Sequence, residues 1–168
     1  SQIGLAYLLA RATDTIADTD VLPVARRLLA LEQLRQRILT DSSAIRLELG
    51  DMAGRQALLA ERVLLERVEE ALSILDRMEP GDRQRIRDVL ATITSGQELD
   101  LRRFDGASQG RVVALGTGAD LDDYTYRVAG CVGEFWTRVC VAHLFPTPPD
   151  PGQSGLSVQP IDTGAAAT

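Results

Sequence analysis

The chain has 168 residues, enough for one domain with a real core and too few for two comfortable ones. Its 45% apolar and 25% charged residues fit an ordinary soluble globular protein, and no run of about 18 apolar residues marks a membrane span. The net charge of −6, with all 18 basic residues arginine, argues against a nucleic-acid binder, which shows a basic face.

The spacing predicts a first helix over residues 3–17. At about 100° per residue, Leu5, Leu8, Leu9, Ala12 and Ile16 share one broad face. Tyr7, Arg11, Asp14 and Asp18 fall on the opposite face, spaced 4, 3 and 4. Two carboxylates one turn apart can hold one or two Mg²⁺ ions through single oxygens, leaving positions for phosphate oxygens and water. A guanidinium on the same stripe can neutralise those phosphates. The bland alternative is a solvated face with an Arg11–Asp14 pair worth a few tenths of a kcal/mol. Spacing alone leaves both readings standing.

A break follows between Asp18 and Leu22, with Pro23 as an early helical residue, and a second helix runs to about Leu39. Residues 40–53 are ambiguous, with Asp41-Ser42-Ser43 as a cap and Gly50 and Gly54 as breakers. One long helix is expected from Arg55 to Met78, a turn at Glu79–Asp82, and another helix from Asp82 to Leu101. Residues 105–119 read as a glycine-rich loop, and the last helix spans Leu121–Leu144. Strand alternation is absent, so the expected fold is all-α, with no internal repeat. Within the last helix, Tyr124, Tyr126 and Arg127 precede Ala129, Gly130 and Gly133. Each glycine costs about 1 kcal/mol against alanine in a helix interior. Close helix–helix contact explains such a run; so does a helix thinned for a long apolar ligand.

Cys131 and Cys140 lie roughly 13 Å apart on that helix, beyond disulfide reach, and read as buried thiols in a reducing cytoplasm. No secretory signal opens the chain, so a cytoplasmic location is expected. His143 reads as a partner for the helix C-terminus, and with Cys140 makes only half a metal site. Arg26–Arg27 and Arg102–Arg103 read as solvated faces. After Pro146 the text turns rich in Pro, Gly, Ser and Thr, which predicts a disordered tail over residues 146–168.

Taken together, YLLARATDTIAD (residues 7–18), SGQELDLRRF (95–104) and YTYRVAGCVG (124–133) resemble three signature blocks of the squalene/phytoene synthase family. They occur in the family's order, and the likeness covers about residues 2–145, with the first block leaning toward bacterial squalene synthases. The resemblance implies an isoprenoid synthase helical bundle with a deep cavity. It implies head-to-head condensation of two prenyl diphosphates, farnesyl diphosphate in the squalene branch, through a cyclopropylcarbinyl diphosphate. In true squalene synthases a reduction by NADPH follows. Residue by residue, Asp14 and Asp18 match the aspartates that bind Mg²⁺ and diphosphate, and Tyr7 and Arg11 match diphosphate contacts. Tyr124 matches the tyrosine given a catalytic role near the carbocation. Val128, Ala129 and Gly130 match the stretch lining the prenyl channel, with Gly96, Gln97 and Asp100 nearby. The chemistry agrees. An allylic diphosphate ionises when positive charge meets the leaving group, and the cation needs a dry apolar cavity.

Two features depart from the family pattern. An upstream element with Ser and Arg is absent, and so is the second D-x-x-x-D, since the late acids Asp150 and Asp162 stand too far apart. With helical register by Ile3 and no initiator Met, the chain reads as part of something longer. The expectation is a partial family domain over residues 1–145, impaired in condensation on its own. The alternative is a non-catalytic remnant or partner subunit keeping half the site. No nucleic-acid partner is expected; peripheral membrane contact and oligomeric state stay open.

Overall fold

The computed structural model describes residues 1–40, 44–107 and 110–145. Local sequence sets the helix starts. The Ser1 hydroxyl accepts from the Gly4 N–H at 3.2 Å, capping α1, Gln2–Asp18. Pro23 ends in extended geometry just before α2, Val24–Leu39, so it caps the helix rather than entering it. Pro80 opens α6, Pro80–Arg103, where its missing N–H costs nothing. Thr117 and Asp120 form a reciprocal capping box at the start of α7, Gly118–Thr125. This box moves the helix start three residues ahead of the expected Leu121.

The remaining elements are α3, Gly50–Ala53, α4, Leu59–Glu66, α5, Val68–Asp76, and α8, Cys131–Leu144. Among the described residues there is no strand, as the absence of alternation predicted. The core joins Leu5, Leu9, Ala12 and Ile16 of α1 to Leu31, Leu34 and Ile38 of α2 and Ile86 and Leu90 of α6. α6 runs through the middle, packing on α1, α2 and α8. Leu8 departs from its expected place. It lies about 60° round the helix from Leu5 and is exposed, facing a shallow apolar groove with Val63, Leu64 and Ile74.

The helix expected over Arg55–Met78 is two helices that meet at Arg67, whose φ of −109° and ψ of 13° leave the helical register. The apolar pattern continues through this junction, but α4 packs on α1 and α3 while α5 packs on α1 and α2. The two short helices seat Leu65 and then Leu72 and Leu75 in the core. The last helix is also interrupted. A π-helical segment, Tyr126–Gly130, joins α7 to α8 and inserts one extra residue in the turn.

Both cysteines are free thiols, Cys131 buried and Cys140 partly so. His143 stands in the last turn of α8 and also meets a side chain: its Nε2 lies 2.8 Å from Asp82 Oδ1. Asp82, third residue of α6 and buried, also accepts from Gln2 Nε2 at 2.8 Å and Arg85 Nη1 at 2.9 Å. Burial alone would push this carboxyl up, but the Gln2 and His143 hydrogen bonds and the charges of His143 and Arg85 hold it below the usual range. The cluster ties the starts of α1 and α6 to the end of α8. No described helix is long and apolar enough to cross a membrane. The Asp41-Ser42-Ser43 cap and the tail over residues 146–168 lie outside the described residues.

Candidate functional site

A two-lobed groove runs between α1, α6 and the α7–π segment. Asp14, Gln97, Asp100 and Tyr124 border both lobes, and they come from all three sequence blocks. The first lobe, about 380 Å³, adds Asp18, Arg27 and Asp105, so four carboxylates face one guanidinium. The second, about 510 Å³, adds Tyr7, Arg11, Arg127 and the apolar Ile93, Val128 and Val132.

On α1 the stripe forms as the spacing predicted. The Arg11–Asp14 ion pair of the bland reading is present, but Arg11 also binds Glu61 of α4, a residue that no block contains. Asp18 is exposed overall yet lines the acidic lobe. Its carboxyl is held above the usual range, first by partial loss of water and then by the like charge of Asp14, against the opposing pull of Arg11 and Arg27.

On α6, Gly96 is buried and does not border the groove. A Cβ there would sit 3.0 Å from Arg127 Cβ, so the missing side chain lets the π segment approach α6. Arg127 locks that approach, with Nη1 donating to Ser95 Oγ at 2.6 Å and Nε donating to the Asp123 carboxylate at 2.9 Å. Gln97 Oε1 and Asp100 Oδ1 are buried acceptors with no hydrogen-bond partner among the described residues. Loss of water raises the Asp100 carboxyl, opposed by the charge of Arg103.

In the third block, Tyr124 is half-buried between the lobes, whereas Tyr126 points away and its hydroxyl donates to Glu134 at 3.1 Å. Val128 borders the groove; Ala129 and Gly130 do not. Gly130 makes room for the Tyr126 ring, 3.1 Å from where a Cβ would stand, and Gly133 faces open space. Neither close helix–helix contact nor a thinned helix describes Gly130 and Gly133 here, whereas close approach of the π segment explains Gly96.

Sequence reasoning missed Arg27. Read as solvated, it instead donates from Nη1 to the Ala17 carbonyl at 2.7 Å, near the end of α1, and its buried Nε has no partner among the described residues. Nothing in the α2 pattern singles out the face that meets α1. Arg26 pairs with Asp51 at 3.3 Å and Arg103 lies 3.8 Å from Asp120.

Among the described residues, no three His, Cys, Asp or Glu side chains converge to enclose a metal ion. Magnesium does not require such a cage, since it keeps several waters and takes one or two carboxylates plus substrate phosphates. Asp14 and Asp18, one turn apart, offer hard oxygen donors of that kind. Gln97 Oε1 and Asp100 Oδ1 are further oxygen acceptors on residues that border both lobes.

A family model described as squalene/phytoene synthase matches residues 1–158, spanning all three blocks and continuing past Pro146. No curated protein and no solved structure matches the chain.

Proposed function

The chain belongs to the squalene/phytoene synthase family, with its all-helical isoprenoid synthase fold, and from that premise we propose that the groove binds a prenyl diphosphate by a Mg²⁺-dependent grip. The observation that carries this reading is the shared border of the two lobes, where Asp14, Gln97, Asp100 and Tyr124 bring all three blocks to one place. Charge supports one orientation of the ligand. A bare diphosphate is repelled by a lobe of four carboxylates and one arginine, and divalent cations reverse that sign. The prenyl chain suits the second lobe, where Ile93, Val128 and Val132 supply apolar wall.

Within that pose each group has a task. Asp14 and Asp18 would hold Mg²⁺, which neutralises the leaving diphosphate when bound. Arg27 lines the same lobe and brings a guanidinium to it. Tyr124 stands between the diphosphate end and the chain end, where its ring face stabilises positive charge developing at the allylic carbon. The substrate is a farnesyl-sized diphosphate in the squalene-type reading, and the reaction is its head-to-head condensation.

The sequence contains one D-x-x-x-D, at Asp14–Asp18. That favours a second reading in which this polypeptide alone binds the diphosphate but condenses two of them poorly, acting as a non-catalytic partner. Both readings meet one experiment. A non-hydrolysable farnesyl diphosphate analogue, titrated with and without Mg²⁺, is expected to bind only with the metal. Asp14→Asn should weaken it by at least about tenfold, the scale of one lost charge-assisted contact of about 1.5–3 kcal/mol. Metal-independent binding, or no effect of Asp14→Asn, overturns the site. Turnover of farnesyl diphosphate by the same sample separates the enzyme from the partner.

A further inference from the structure

We propose that Glu61 is a positioning residue for Asp14, acting through Arg11. The inference rests on the reading of Asp14 as a cation-holding carboxylate. Glu61 lies on α4, outside the three blocks, and its side chain is only 19% exposed. The Arg11 fork is divided: Nη1 donates to Asp14 and Nη2 donates to Glu61.

A guanidinium is planar and stiff, so anchoring one terminal nitrogen fixes where the other points. A bidentate grip on a phosphate spends two such N–H groups on one partner. In Arg11 the two terminal nitrogens are spent on different carboxylates, one from its own helix and one from a neighbour. Arg11 is therefore a strut between α4 and Asp14 rather than an open anion clamp. Two carboxylates around one guanidinium leave the cluster with a net negative charge, which suits a cation. Without Glu61, Arg11 is free to swing, and the direction of Asp14 is set by nothing outside its own helix. A long, flexible side chain then has several rotamers to choose among, and the cation site loses its preorganisation.

The test uses Mn²⁺ alone, its free concentration read by electron paramagnetic resonance, on the full chain. Glu61→Ala should weaken Mn²⁺ binding about tenfold, the loss typical of removing a group that orients a ligand. In an Asp14→Asn background the same change should have less than about a twofold effect, because its route runs through Asp14. Glu61→Gln keeps the side-chain volume and an acceptor for Arg11, so it guards against a folding defect; it should fall between wild type and Glu61→Ala. Equal weakening by Glu61→Ala in both backgrounds overturns the proposal. So does a silent Glu61→Ala, or a Glu61→Ala chain that binds inorganic pyrophosphate more tightly, since Glu61 would then be a competitor for Arg11. If Asp14→Asn leaves Mn²⁺ binding unchanged, or wild type binds none, the reading of the groove fails and this proposal with it.

Discussion

The two walls of the groove are built on different terms. α1 and α6 meet across a sealed core, where Leu9, Ile16 and Ile86 have no exposed surface. The α7–π–α8 wall rests on α6 along one narrow stripe, Cys131, Phe135 and Val139, and leaves Val132, Trp136, Val141 and Leu144 open. Asp14 and Asp18 both sit on α1, in the sealed wall, and Asp14 is joined through Arg11 to Glu61 of α4. The apolar and aromatic residues Tyr124, Val128 and Val132 sit on the one-sided wall. In the proposed pose a metal ligand would need little motion, whereas an apolar surface meeting a flexible chain would tolerate more. Few buried contacts on the second wall make it the first part to open locally.

The strongest way to break this contrast is through the core. Leu9→Ala should cost about 2–5 kcal/mol, the range for a fully buried leucine, read by urea denaturation; Trp136→Ser on the open wall, 52% exposed, should change stability by less than about 0.5 kcal/mol. Equal losses would mean that the second wall is packed as tightly as the first.

The seam between the walls comes next. Gly96→Ala places a methyl 3.0 Å from Arg127 Cβ, an overpacking that should cost about 1–3 kcal/mol. The damage should be local, with faster amide exchange over residues 118–130 and little change in α1. Uniformly faster exchange would show the two walls to be one cooperative unit.

The clamp at the far end depends on pH. Asp82→Asn should cost about 1–3 kcal/mol at neutral pH, as a buried charged acceptor loses donors from Gln2, Arg85 and His143. Because the Asp82 carboxyl is held low in the fold, its contribution is fully present above the ordinary carboxylate value of about 4. It is lost as pH falls through the lower folded value. Acid titration of stability should therefore be steeper in wild type than in Asp82→Asn, and parallel curves would remove Asp82 from the clamp.

Much of this arrangement is legible in the residues themselves. Helical periodicity puts Tyr7, Arg11, Asp14 and Asp18 on one stripe, whereas the helices that open at Pro80 and Gly118 start two and three residues ahead of the expected Asp82 and Leu121. The three blocks point to one family, and their meeting in one groove agrees with that. Other features were hidden. The split at Arg67 has no glycine or proline to announce it, and the π segment keeps the residues of an ordinary helix while changing only which carbonyl each N–H reaches. Glu61 and Arg27 look like any surface charge in their own helices.

What the sequence by itself determined was the class of the fold and the stripe on α1. Only the tertiary structure decided that Arg11 is shared with Glu61, that Gly96 serves helix approach, that Tyr124 rather than Tyr126 faces the groove, and that His143 closes on Asp82. The reason is geometric. Periodicity reports where a side chain points relative to its own helix axis, within a few residues of chain. Which other helix comes to meet that face depends on how the whole core closes, over separations such as the 50 residues from Arg11 to Glu61.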